Sequence, residues 1–142
     1  MKQTWLVPLD GSATALRALA WIVDNVAVLK ETPQIHLINV QAALPRDIGR
    51  FISADTIQDF HLESGMAALA SAKAQLDAAG LAAEQHVLVG EAAPTICSFA
   101  ETHACTQILI GTHGHTGLTG VLLGSVAMRV AHLAKVPVLL VR

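Results

Sequence analysis

The amino-acid sequence predicts an α/β fold, an open five-stranded parallel sheet with helices on both faces. Two observations carry this reading. Five short runs rich in Val, Ile and Leu, at Thr4–Leu9, Gln34–Val40, Gln85–Val89, Gln107–Ile110 and Val136–Val141, are each bounded by Gly, Pro or polar residues. Such runs are strands buried on both faces, as in a parallel sheet. Segments with helical apolar spacing separate them, so the order is βαβαβαβαβ, which implies right-handed crossovers and a helix layer on each face.

The elements follow in order. Ser12 is a suitable N-cap for a first helix, in which Leu16, Leu19, Ala20, Val23, Val26 and Ala27 form an apolar stripe. Residues 41–54 form the longest irregular stretch, with Pro45 and Gly49, and a loop of that length is often functional. A second helix opens at Asp55 and Gln58, a pair that resembles a capping box. Ile57, Phe60, Met66, Leu69, Ala72 and Leu76 are expected on its inner side, with Gly80 as its C-terminal cap. A third helix fits Pro94–His103, with Pro94 in the first turn. A fourth is expected from about Gly120 to Ala134, burying Leu122, Leu123, Val126, Val130 and Leu133.

Composition excludes several classes. The 142 residues suit one domain, 1–142, large enough to bury a core without staples. With 53% apolar and 14% charged residues, the chain is globular. The net charge is -2 and no basic block occurs, which argues against nucleic-acid binding. No stretch reaches the ~20 apolar residues that span a bilayer, and the apolar run near Met1 is too short for a signal peptide. Cys97 and Cys105 read as two thiols packed in a reducing compartment. A cytoplasmic protein is expected.

The chemistry-bearing signal is Gly111-Thr112-His113-Gly114, nine further residues, then Gly124-Ser125. It begins where the fourth run ends and leads into the last helix, at the carboxyl edge where open α/β sheets bind ligands. Glycines admit close approach of backbone N–H groups to phosphate, and a helix N-terminus favours negative charge. The plainer reading is a turn that lets the helix pack on the strand. Asp10-Gly11-Ser12 follows the first run, and Gly90-Glu91 the third. Ser12 reads better as a cap than as a ligand. Loops after strands one and four can share a ligand only if those strands are neighbours, which gives the order 3-2-1-4-5.

Together these segments resemble the universal stress protein family across the whole chain. The resemblance rests on Val7-Pro8-Leu9-Asp10-Gly11-Ser12, Val87-Leu88-Val89-Gly90, and the stretch from Gly111 to Arg142. It is similar to the ATP-binding branch, whose Gly-x2-Gly-x9-Gly-Ser/Thr pattern is complete here. The resemblance implies an adenine nucleotide alpha hydrolase-like fold. It implies an adenine site near Asp10 and Val40, and a ribose and phosphate site at Gly111, Gly114, Gly124, Ser125 and Val126. Pro8 would shape the edge of the first strand. ATP, ADP or AMP is the implied ligand, with Mg2+ held mainly by its phosphates. One departure stands out. His115 occupies the position after the second glycine where many relatives have Arg, so the permanent bidentate cation is missing.

The function expected is nucleotide-dependent regulation in a stress response, with an unknown protein partner. A slow ATP hydrolase and a nucleotide-free dimeric scaffold are the alternatives. No Gly-x4-Gly-Lys-Ser/Thr loop occurs, and no carboxylate lies between Gly111 and Ser125, so fast turnover is not expected. An adenylating enzyme would require a different loop after the first strand. No catalytic residue and no protein metal site are expected. The His113/His115 pair, with His103 and Cys105 upstream, falls short of a convergent set, and His36, His61, His86 and His132 read as surface or edge residues. A homodimer is expected through the last strand, which the strand order leaves at an edge.

Overall fold

The computed structural model describes residues 2–112 and 123–142. Its strands are β1 (Thr4–Pro8), β2 (Gln34–Gln41), β3 (Ala83–Val89), β4 (Gln107–Gly111) and β5 (Val138–Val141). All pair in parallel, in the order β3-β2-β1-β4-β5. The helices are α1 (Arg17–Asn25), α2 (Arg46–Gly49), α3 (Ala54–Ala78), α4 (Ala92–Thr102) and α5 (Ser125–Leu133).

Alternation along the strands divides the core between the two faces of the sheet. Trp5, Val7, Leu37 and Leu109 point to one face, where Leu19 and Ile22 of α1 and Leu69 and Leu76 of α3 cover them. Leu6, Ile38, Ile108 and Ile110 point to the other, beneath Ile96 and Phe99 of α4 and Val130 of α5. Burying one such aliphatic side chain contributes roughly 1.5–3 kcal/mol.

The ends of the elements show where local chemistry decides. Ser12 Oγ accepts from the Ala15 amide at 3.3 Å, as expected of a cap. The turns that follow close between residues three apart, such as Arg17 N to Thr14 O, so α1 itself starts only at Arg17. The cap of α3 is Ser53, whose Oγ accepts from the Thr56 amide at 3.2 Å, in place of the expected start at Asp55 and Gln58. At its other end Gly80, with φ +73°, allows Leu81 N to reach Leu76 O and Gly80 N to reach Asp77 O, the expected glycine-terminated cap.

The inner face of α3 differs from expectation. Phe60 and Met66 are exposed, and the buried stripe is His61, Gly65, Leu69, Ala72 and Leu76. Gly65 is the reason. A Cβ there would lie 2.3 Å from a Val87 methyl, so the helix descends onto β3 at this glycine and turns Phe60 and Met66 outward. His61 is therefore buried, and so is His36 on β2, contrary to their reading as surface or edge residues. The last helix is described from Ser125, and the expected start near Gly120 lies outside the described residues. Val126 and Leu133 are exposed rather than inward.

Candidate functional site

The seam between β1 and β4 is closed at one end and open at the other. At the amino end Thr106 N donates to Thr4 O at 2.7 Å, and Thr4 N donates to Thr106 Oγ1 at 3.0 Å. The register then runs through Trp5–Gln107 and Leu6–Ile108. Beyond these, β1 stays with β2 as far as Pro8–Ile38, while β4 stays with β5 as far as Gly111–Val141. The two halves of the sheet part at their carboxyl ends, which is the topological switch point where open α/β sheets accept ligands.

A cavity fills this fork. Pro8, Asp10, Ser12, Ile38, Asn39 and Val40 line it from the β1–β2 side. Ile110, Gly111, Gly124, Ser125, Val126 and Ala127 line it from the β4–α5 side, and Ala92 and Ile96 of α4 complete the wall. The structure thus brings together Pro8, Asp10, Val40, Gly111, Gly124, Ser125 and Val126. Gly114, His113 and His115 lie outside the described residues.

Each wall has a physical origin. Leu9 N donates to Ile38 O at 2.9 Å, and the buried Asn39 Nδ2 donates to Leu9 O at 2.8 Å. Gln41 Nε2 in turn donates to Asn39 Oδ1. Asn39 therefore fixes the backbone that leads into Asp10, where Oδ1 accepts from the Ser12 amide at 2.8 Å. Sequence reasoning missed Asn39, although a carboxamide inside an otherwise apolar run was a visible signal for a buried polar role. Opposite, the first hydrogen bond of α5 runs from Met128 N to Gly124 O. The amides of Ser125, Val126 and Ala127 precede it, so they have no partner within the helix. Gly124 has no side chain to cap them. Ser125, Val126 and Ala127 all line the cavity, at the positive end of the helix dipole.

No Lys or Arg lines the cavity among the described residues. Among the described residues, the groups there that can donate to an anion include backbone N–H groups and the hydroxyls of Ser12, Thr14 and Ser125. Arg129 donates to Glu91, an exposed ion pair that joins α5 to the start of α4 beside the cavity wall. Burial pushes the thiols of Cys97 and Cys105 upward, with Glu101 adding to the shift at Cys97, so both remain protonated packing groups. Among the described residues, no helix is long and apolar enough to cross a membrane.

Comparison with known proteins agrees with this architecture. The model of the universal stress protein family matches residues 1–142. The universal stress protein MJ0531 of Methanocaldococcus jannaschii is 33% identical over 140 residues, which cover 96% of this chain and 80% of the relative. A match to the universal stress protein Slr1230 of Synechocystis, 28% identical, spans 42% of that longer chain. The solved structure of MJ0577, also from M. jannaschii, superposes with a TM-score of 0.78 at 26% identity, covering 99% of this chain and 96% of the other. A universal stress protein solved in complex with cAMP gives a TM-score of 0.66 at 26% identity, with the same coverage. The chain belongs to the universal stress protein family.

Proposed function

We propose that this chain binds ATP, or ADP or AMP, in the fork between β1 and β4, and that occupancy controls its interaction with a protein partner in a stress response. The observation that carries the reading is the convergence on one cavity of an apolar, Asp10-bearing wall and the amino end of α5, whose N-cap Gly124 offers no side chain. The two walls differ in kind, as the two ends of a nucleotide do. Ile38, Val40 and Ile96 offer apolar surface to a base, and Asp10 an acceptor at the nucleoside end. The Gly124–Ser125 turn offers donors for phosphate. The structural relative solved with cAMP supports an adenine nucleotide as the class of ligand.

Regulation is favoured over rapid hydrolysis. Asp10 is the only acid lining the cavity among the described residues, and its Oδ1 already accepts from Ser12. Orienting a water for in-line attack is the work of a carboxylate or carboxamide at the phosphate end, and among the described residues the β4–α5 wall carries neither. Magnesium would arrive with the nucleotide and be held mainly by its phosphates. The test is to denature protein purified from its own cell type and identify the released small molecules by mass. An adenine nucleotide near one equivalent supports the reading. Protein free of nucleotide, which also gives no heat with ATP, ADP or AMP in calorimetry, would overturn it.

A further inference from the structure

Strands β2 and β3 assemble a second group of polar side chains that the nucleotide cavity does not use. His36 and Glu84 are register partners, and His86 lies opposite Ile38, two residues along. Strand alternation puts all three on the α4 face of the sheet. His36 Nδ1 lies 2.8 Å from His86 Nε2. Glu84 Oε2 lies 3.6 Å from the first nitrogen and 3.7 Å from the second. Gln34 Nε2 donates to the other Glu84 oxygen at 3.4 Å, which turns Oε2 toward the imidazoles.

These distances describe a ligand set. Zinc-class bonds of ~2.0–2.2 Å at the tetrahedral angle separate neighbouring donors by roughly 3.3–3.6 Å. Edges of 2.8, 3.6 and 3.7 Å bracket that spacing. A direct imidazole–imidazole hydrogen bond explains the short edge. The Glu84 oxygen, almost equally far from both nitrogens, completes a triangle of donors that one cation can share. The two imidazoles are also enclosed on the α4 side. His36 is buried, Phe99 packs against both rings, and His103 stacks on Phe99 with its ring 5.9 and 5.8 Å from those of His36 and His86.

We propose that His36, Glu84 and His86 bind one divalent cation of the zinc class, with water in the fourth position and Gln34 orienting the carboxylate. Burial favours the neutral, ligating form of both histidines, and the Glu84 charge would compensate part of the cation's. Outer partners such as Gln34 are typical of bound sites. The cluster sits at the far end of α4 from the cavity, which Ala92 and Ile96 reach, so the proposal stands apart from the nucleotide reading.

The test is calorimetric titration of the chelator-stripped full chain with Zn2+ alone. Saturation at one equivalent per chain is expected. His86→Ala should weaken binding by at least about 100-fold, and Glu84→Gln by at least about 10-fold, since loss of even an outer partner costs 10–100-fold. Glu84 is exposed, so its variant keeps the test open should His86→Ala fail to fold. Tetrahedral cobalt(II) absorption should appear in the wild type and vanish in both variants. His113→Ala/His115→Ala should leave the affinity unchanged. Absence of binding at micromolar Zn2+, retention of affinity in folded Glu84→Gln, or loss only in the His113/His115 variant would overturn the proposal.

Discussion

A Cβ built on Gly111 would lie 2.5 Å from the carbonyl oxygen of Thr14 and 3.2 Å from Ala15 Cα. The end of β4 therefore rests backbone to backbone on the turn that leads into α1, and all three residues border the cavity. At this position glycine serves packing as well as any ligand. Gly111→Ala should destabilise the fold by about 1–3 kcal/mol, because backbone cannot step aside as a side chain can. The urea midpoint should fall with an unchanged slope. An unaltered midpoint would show that the turn has room to move.

Gly124 gives the opposite expectation. Its φ of -69° and ψ of 161° suit any residue, so Gly124→Val keeps the backbone of the α5 cap. On the proposed reading, a branched side chain there would crowd the phosphates at the start of α5. ATP affinity should fall at least about tenfold, the equivalent of ~1.4 kcal/mol, while the thermal midpoint stays within a few degrees. Gly114→Val, in the same motif, should act in the same direction. Undiminished affinity in calorimetry would move the phosphates elsewhere.

Stability should depend on pH through the two facing imidazoles. Burial is the first cause that holds His36 and His86 below the ordinary value near 6.5, and the neighbouring His103 adds to it. For His86 the His36 charge acts in the same sense, while Glu84 opposes the shift in both. A depressed histidine pKa means that the unfolded chain takes up protons first. The contribution is complete above about pH 6.5 and is lost as the pH falls below it. In the presence of chelator, urea midpoints should drop between about pH 7 and pH 5.5, and His86→Gln should flatten the slope. A midpoint that rises on acidification would contradict the assignment.

Edge strand β5 should pair with a second copy. Pro137 O accepts from Ile108 N, and Val141 O accepts from Thr112 N, so these alternate groups point toward β4. Val138 and Leu140 consequently present their N–H and C=O to the open edge. Their side chains pack partly against the core beside α5, so pairing would rely chiefly on the backbone. Light scattering at micromolar concentration should report about twice the 14.9 kDa chain mass. Val138→Pro removes one outward donor at the start of the strand, where proline is tolerated. Across a twofold axis that costs two hydrogen bonds of ~1 kcal/mol each, roughly a thirtyfold weaker dimer. A monomeric wild type would end the proposal.

The sheet was legible because β1, β2 and β4 are largely buried on both faces and concentrate Val, Ile and Leu, even though His36 and Asn39 interrupt β2 and the edge strand β3 is only partly buried. The order was legible from the loops after β1 and β4. The inner face of α3 was not. Counting large apolar residues selects Phe60 and Met66, whereas the contact with β3 is made where Gly65 removes a side chain. The start of α1 was misplaced for a related reason, since Ser12 caps a set of tight turns and not the helix itself. Seven of the eight proposed ligand-site residues meet at one cavity, whereas the partner of the Asn39 carboxamide, Leu9 O, is set by the β1–β2 pairing and not by local sequence. His36 and His86 are fifty residues apart, and only the β2–β3 register makes them neighbours.

The seam between β1 and β4, fastened by Thr106 at the bottom and parted above Leu6, also bears on how the molecule breathes. It divides the sheet into a three-strand leaf and a two-strand leaf that share a short spine. A molecule wedged between the leaves would act as a strut, resisting both their splaying and their collapse. Amides on β2 and on β5, far apart in sequence and on opposite leaves, would then slow their hydrogen exchange together on occupancy. A partner that touches only one leaf could sense what is held between the two.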